Sequence, residues 1–119
     1  MNKYEQGLKR ISEVLGQDGG ELFGKLQAIS EDYARYAAEF AYGELYSREG
    51  LSDKIREVAA VACLIGQGSN THPLRAHIKG MVTVGWSQKE ILELIIFLIN
   101  FVGFPSTLDA LMGGKRSVR

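Results

Sequence analysis

The chain has 119 residues, enough for one domain by the usual length relation. Its composition, 45% hydrophobic and 24% charged, is that of an ordinary soluble globular protein and excludes disordered, collagen-like and low-complexity classes. Fourteen basic against fourteen acidic residues give a formal net charge of +0, so the basic excess of a nucleic-acid binder is missing. A lone Cys63 excludes a disulfide framework, a CxxC pair and a cysteine zinc site, and fits a reducing compartment, so the expected location is cytoplasmic.

In chain order, Tyr4, Leu8, Ile11 and Leu15 recur at helical spacing and predict a first helix that stops in the stretch 16–20. Residues 22–28 predict a short second helix, weakened by about 1 kcal/mol by Gly24. Ser30 ahead of Glu31 and Asp32 offers a capping hydroxyl and two carboxylates to the positive end of a third helix, which runs to about residue 46 with Arg48 near its last carbonyls. Ser52 and Asp53 open a fourth helix that reaches Gly66. Thr71 is the expected cap of a fifth, with Pro73 in its first turn, where the missing N–H costs nothing, and Gly85 ends it. Ser87 and Glu90 form a capping box for a sixth helix to Val102. Ser106 and Asp109 begin a short seventh, and Gly113-Gly114 release a flexible basic tail over 115–119. Sustained period-two alternation is absent, so the expectation is an all-α single domain over residues 1–114 with six to seven helices.

Two of these helices, over 58–65 and 91–102, are apolar around most of their circumference, and such a helix is buried on every side. A chain this short has few elements to surround both, which predicts that other subunits supply the cover; a tight monomer is the alternative. The block 91–102 is interrupted by Glu93 and Asn100 and falls short of the roughly 20 residues of a membrane span, so a membrane partner is not expected. The first ten residues carry no apolar segment of the signal-peptide kind.

The candidate chemistry lies in few residues. His77 follows Leu74 and precedes Met81 at helical spacing, at the edge of an apolar stripe, where an imidazole suits proton transfer; a core histidine bonded to a carbonyl is the alternative. Glu57, at the start of the apolar run of the fourth helix, is either a carboxylate that works with His77 or half of an ion pair. Glu44 and Arg48, four apart, could pair on one helix face. His72 is expected to be exposed and carries no role, and two histidines five apart do not make a metal site on one helix face. Cys63 reads as a small buried hydrophobe, with a reactive thiol as the alternative. GQGSN at 66–70 follows a helix and not a strand, which excludes a dinucleotide loop.

Three stretches together carry a resemblance: YEQGLKRISEVLG at the start, EFAYGELYSREGLSDKIREVAAVACLIGQG in the middle, and LRAHIKGMVTVGWSQKEILELIIFLINFVGFPSTLDAL after it. In order and spacing the chain resembles the carboxymuconolactone decarboxylase family over nearly its whole length. The resemblance implies an all-helical subunit in a ring-like hexamer. It also implies a choice between two branches. The alkylhydroperoxidase D-like branch carries a CxxC pair whose positions here are Asn70 and Pro73, so its thiol peroxidase route is closed. The 4-carboxymuconolactone decarboxylase-like branch lacks those cysteines, as this chain does. Membership of that branch implies cofactor-independent decarboxylation of a small dianionic unsaturated lactone in aromatic breakdown. His77 is then the proton donor, Glu44 or Glu57 orients the imidazole, Arg48 holds the substrate carboxylate, and no metal or organic cofactor is involved. Tyr46, Glu49 and Phe101 depart from that branch, which often has Trp, Pro and Tyr there, and leave a second reading open: a redox-inactive member that binds a small acidic or aromatic ligand, or serves as a partner subunit, without turnover.

Overall fold

The computed structural model describes residues 1–69 and 71–117, without the side chains of 114–117; Asn70, Val118 and Arg119 lie outside the described residues. All regular elements among the described residues are helical. They are α1 (Lys3–Ile29), α2 (Glu31–Tyr36), a π-helix (Ala37–Leu45), α3 (Asp53–Gly66), α4 (His72–Thr83) and α5 (Gln88–Ser117). The chain divides into two compact units, Met1–Asp53 and Lys54–Arg119.

In the first unit, Asn2 caps α1 by accepting the Glu5 N–H, and the helix breaks at Gly16, whose φ of 71° favours glycine. The break falls where the sequence predicts a helix end, but helical backbone resumes at once, so the first two expected helices form one broken element. Ser30 caps α2 by accepting the Tyr33 N–H at 3.1 Å. The expected helix to residue 46 is α-helical only to Tyr36. From there the backbone widens into π turns, closed by a bond from the Tyr46 N–H to the Ala41 carbonyl, five residues back. Two glycines allow this segment to lie close against α1. A Cβ on Gly7 would stand 1.8 Å from the Ala38 carbonyl oxygen, and one on Gly43 would stand 2.4 Å from that of Lys3. Ile11, Val14, Leu15, Ala34, Ala38 and Tyr42 are buried here.

In the second unit, α3, α4 and α5 share an apolar core of Val61, Ile65, Leu74, Ile78, Met81, Ile91, Ile95, Leu98 and Ala110. Thr71 holds the N-cap position of α4, but its side chain makes no capping bond, contrary to expectation. The Ser87–Glu90 box forms as predicted: the Ser87 N–H donates to Glu90 at 2.9 Å and the Glu90 N–H to Ser87 at 3.1 Å. Gly103, with φ 82°, breaks α5 at the predicted end of the sixth helix. Helical backbone then continues through Ser117, past Gly113-Gly114.

Neither apolar helix is covered all round. Along α3 only Glu57, Val61 and Ile65 are buried, and Cys63, expected inside, is exposed on the other side of the helix. Along α5, Phe97, Phe101 and Phe104 are 61%, 67% and 70% exposed. The stretch Gln88–Gly113 is long and apolar enough to cross a membrane by length and composition. Its break at Gly103 leaves a first half of about 22 Å at ~1.5 Å per residue, against a hydrocarbon core of about 30 Å.

Candidate active site

The second turn of α3 carries Glu57 on the same face as Val61 and Ile65, one and two turns on, and that face is the one the core covers. The carboxylate is therefore fully buried, at 0% exposure. Burial of such a group is costly unless a donor answers it. His77 is one such donor. It lies on α4 beside the buried stripe of Leu74, Ile78 and Met81, so its ring reaches the core edge while its side chain stays 17% exposed. Its Nδ1 lies 2.7 Å from Glu57 Oε1. A carboxylate in its ionised form only accepts, so in that form Nδ1–H is the donor of this bond and Nε2 is the ring nitrogen that the contact does not use. His77 is thus neither buried on all sides nor bonded to a carbonyl in this contact.

Glu44 and Arg48 belong to the first unit. Glu44 lies in the π-helix, where its carboxylate accepts from Lys3 Nζ. Glu44 and Arg48 do not share one regular helix, because the π-helix ends at Leu45 and Arg48 lies beyond it, its N–H 3.4 Å from the Leu45 carbonyl. Arg48 is exposed, as is His72 at the start of α4. Among the described residues there is no group of three His, Cys, Asp or Glu side chains that could hold a metal ion.

Two features escape a reading of the sequence. Arg10 spreads its guanidinium over Glu13, Asp53 and the Tyr46 carbonyl, and the Asp53 bond, first among the causes, holds it firmly protonated, above the ordinary arginine value. Only the Glu13 contact, three residues away on one helix, has a local signal. The second is an apolar groove of about 250 Å³ between the two halves of α5, lined by Leu92, Ile96, Ile99, Phe104 and Leu108 with Thr107; neither His77 nor Glu57 contributes to it.

Against known proteins, residues 31–112 match the carboxymuconolactone decarboxylase family. The chain is 30% identical over 110 residues to a 4-carboxymuconolactone decarboxylase of Acinetobacter baylyi, covering 92% of this chain and 81% of that protein. It is 24% identical over 116 residues to a nitrosuccinic acid decarboxylase of Metarhizium robertsii, covering 97% and 80%. A 74-residue stretch, 61% of this chain, is 31% identical to an uncharacterized 15.0 kDa protein of Paracoccus denitrificans, over 55% of its length. A helical fold and a match over more than half of the sequence agree: the chain belongs to the carboxymuconolactone decarboxylase family.

Proposed function

We propose that the protein removes CO2 from a small unsaturated carboxylactone of the 4-carboxymuconolactone kind, without a cofactor, with His77 as the proton donor. The observation that carries this reading is the 2.7 Å bond between His77 Nδ1 and the buried Glu57 carboxylate. In the reaction the bond from ring carbon to carboxylate breaks, CO2 leaves, and the electron pair passes through the ring C=C into the lactone carbonyl as a dienolate. His77 Nε2–H protonates the carbon next to that carbonyl, and the imidazole regains a proton from solvent. Glu57 keeps the ring oriented and its Nδ1 protonated throughout. A positioned acid of this kind contributes about 10²–10⁴-fold. Arg48 takes the carboxylate that stays, as a bidentate partner. That contact must not extend to the leaving carboxylate, since only interactions stronger in the transition state speed the step.

The two named decarboxylases support the chemistry at a coarser level. A lactone-conjugated acid and a nitro acid share one property: an acceptor group that takes up the electrons left by CO2. The conjugated substrate is its own electron sink, which is why the reading needs no metal or organic group.

A homo-oligomer belongs to the same reading, a hexamer by the family resemblance, in the cytoplasm. The exposed Phe97, Phe101 and Phe104 of α5 support copies of the chain as their cover. Sedimentation at micromolar concentration tests this, and a clean 13.1 kDa monomer would overturn it.

The deciding experiment incubates the protein with the lactone and follows conjugated absorbance together with CO2 release. Turnover that His77→Ala abolishes is expected. Saturable binding of the lactone with no CO2 released would replace the lyase reading with that of a non-catalytic ligand-binding member.

A further inference from the structure

Arg10 projects from the middle of the first half of α1, with only 14% of its side chain exposed. Its Nε donates to the Tyr46 carbonyl at 3.0 Å, Nη2 donates to the Asp53 carboxylate, and Nη1 donates to Glu13 at 2.8 Å. Tyr46 and Asp53 are the two ends of the short segment that carries Arg48. The near end is held further: the Tyr46 ring stacks on Tyr42 at 4.5 Å with an interplanar angle of 9°, and Ser47 Oγ donates to the Tyr42 carbonyl at 2.7 Å. Between the ends, residues 48–52 are exposed, and Gly50 turns the chain with φ 138°. The segment is thus held at both feet and exposed between them, and one guanidinium reaches both feet.

We propose that Arg10 is a positioning residue for Arg48: by tying Tyr46 to Asp53 it fixes the loop from which Arg48 meets the substrate carboxylate. This rests on the anion-binding role given to Arg48 above. The planar fork of arginine supplies donors in several fixed directions, which a lysine ammonium does not. A loop ordered before the ligand arrives avoids the ordering cost that binding would otherwise carry. Of the three acceptors, Glu13 is on the helix of Arg10 itself, so the proposal separates the arms: the two that reach the loop matter for binding, and the third does not.

The test compares Arg10→Ala, Arg10→Lys, Glu13→Gln and Arg48→Ala, and the double variant of Arg10→Ala with Arg48→Ala, on the full chain with the lactone as substrate. Arg10→Ala should raise KM about tenfold with kcat within about twofold, and the double variant should be no worse than Arg48→Ala alone. Arg10→Lys, which keeps the charge but not the fork, should also raise KM. Glu13→Gln should leave both constants unchanged. A rise in KM for Arg10→Ala that simply adds to that of Arg48→Ala would overturn the proposal, as would equal effects of Arg10→Ala and Glu13→Gln. If Arg48→Ala alone leaves KM unchanged, the anion-binding role itself has failed; if it raises KM and Arg10→Ala does not, only the positioning role has. Hydrogen exchange gives a readout that needs no turnover: Arg10→Ala should speed exchange of the Tyr46 and Arg48 amides, and unchanged protection there would overturn the proposal.

Discussion

Two glutamates, one in each unit, show how far the same side chain changes with its surroundings. Glu57 is buried completely among the side chains of an apolar core and bonds a histidine that reaches solvent on one side. Glu44 is 44% exposed and bonds a lysine that is 63% exposed. Water screens the second pair and competes for both partners, so its net worth is small. The first has less such competition, and a missing partner there would leave a desolvated group short of a hydrogen bond. A buried carboxylate therefore loses more with its hydrogen bond than one that water can reach.

His77→Ala should lower kcat by about 10²–10⁴-fold with little change in KM, measured by CO2 release; a loss confined to KM would make His77 a binding residue. Glu57→Ala should destabilise the fold by about 1–3 kcal/mol in a denaturant titration, because it strands the imidazole N–H at a buried position. Glu44→Gln should cost no more than about 1 kcal/mol, and less at high salt; a cost equal to that of Glu57→Ala would break the comparison. The smallest effect concerns Glu90, whose carboxyl is held below its ordinary value by the Ser87 N–H and then by the Ser87 hydroxyl. A carboxyl held low in the folded state adds stability above its unfolded value, and that part is lost as pH falls through the folded value. Acid titration of the fold should therefore be slightly shallower in Glu90→Gln, and identical curves would show that the capping box carries no pH dependence.

The parts of the fold legible in the sequence are those whose cause is local. The Ser30 cap, the Ser87–Glu90 box and the breaks at Gly16 and Gly103 each follow from a few neighbouring residues. His77 and Glu57 can each be singled out by type and by place beside an apolar run, but their contact joins residues twenty apart on two helices, and no spacing along one helix reports it. Cys63 misleads because an apolar run says that a helix prefers burial, not that this chain alone can surround it. The widened turns of 37–45 leave no periodic signal; their close approach to α1 depends on Gly7, thirty residues earlier.

Those π turns have a consequence for how this protein tolerates change in length. A residue in an α-helix turns the chain through about 100°, so one residue gained or lost spins everything downstream by that amount. The nine residues of the π-helix are wound more loosely and set the phase in which the chain leaves toward Tyr46 and Arg48. A single deletion there that tightened the segment to α-helix would leave the composition and the apolar content nearly intact. It would also leave the phase nearly intact, since a widened residue turns the chain through less than about 100° and nine of them turn it about as far as eight α-helical ones. Homologues one residue shorter in this stretch should therefore still send the chain toward Tyr46 and Arg48 in the same direction, whereas the loss of one residue from an α-helical stretch would not.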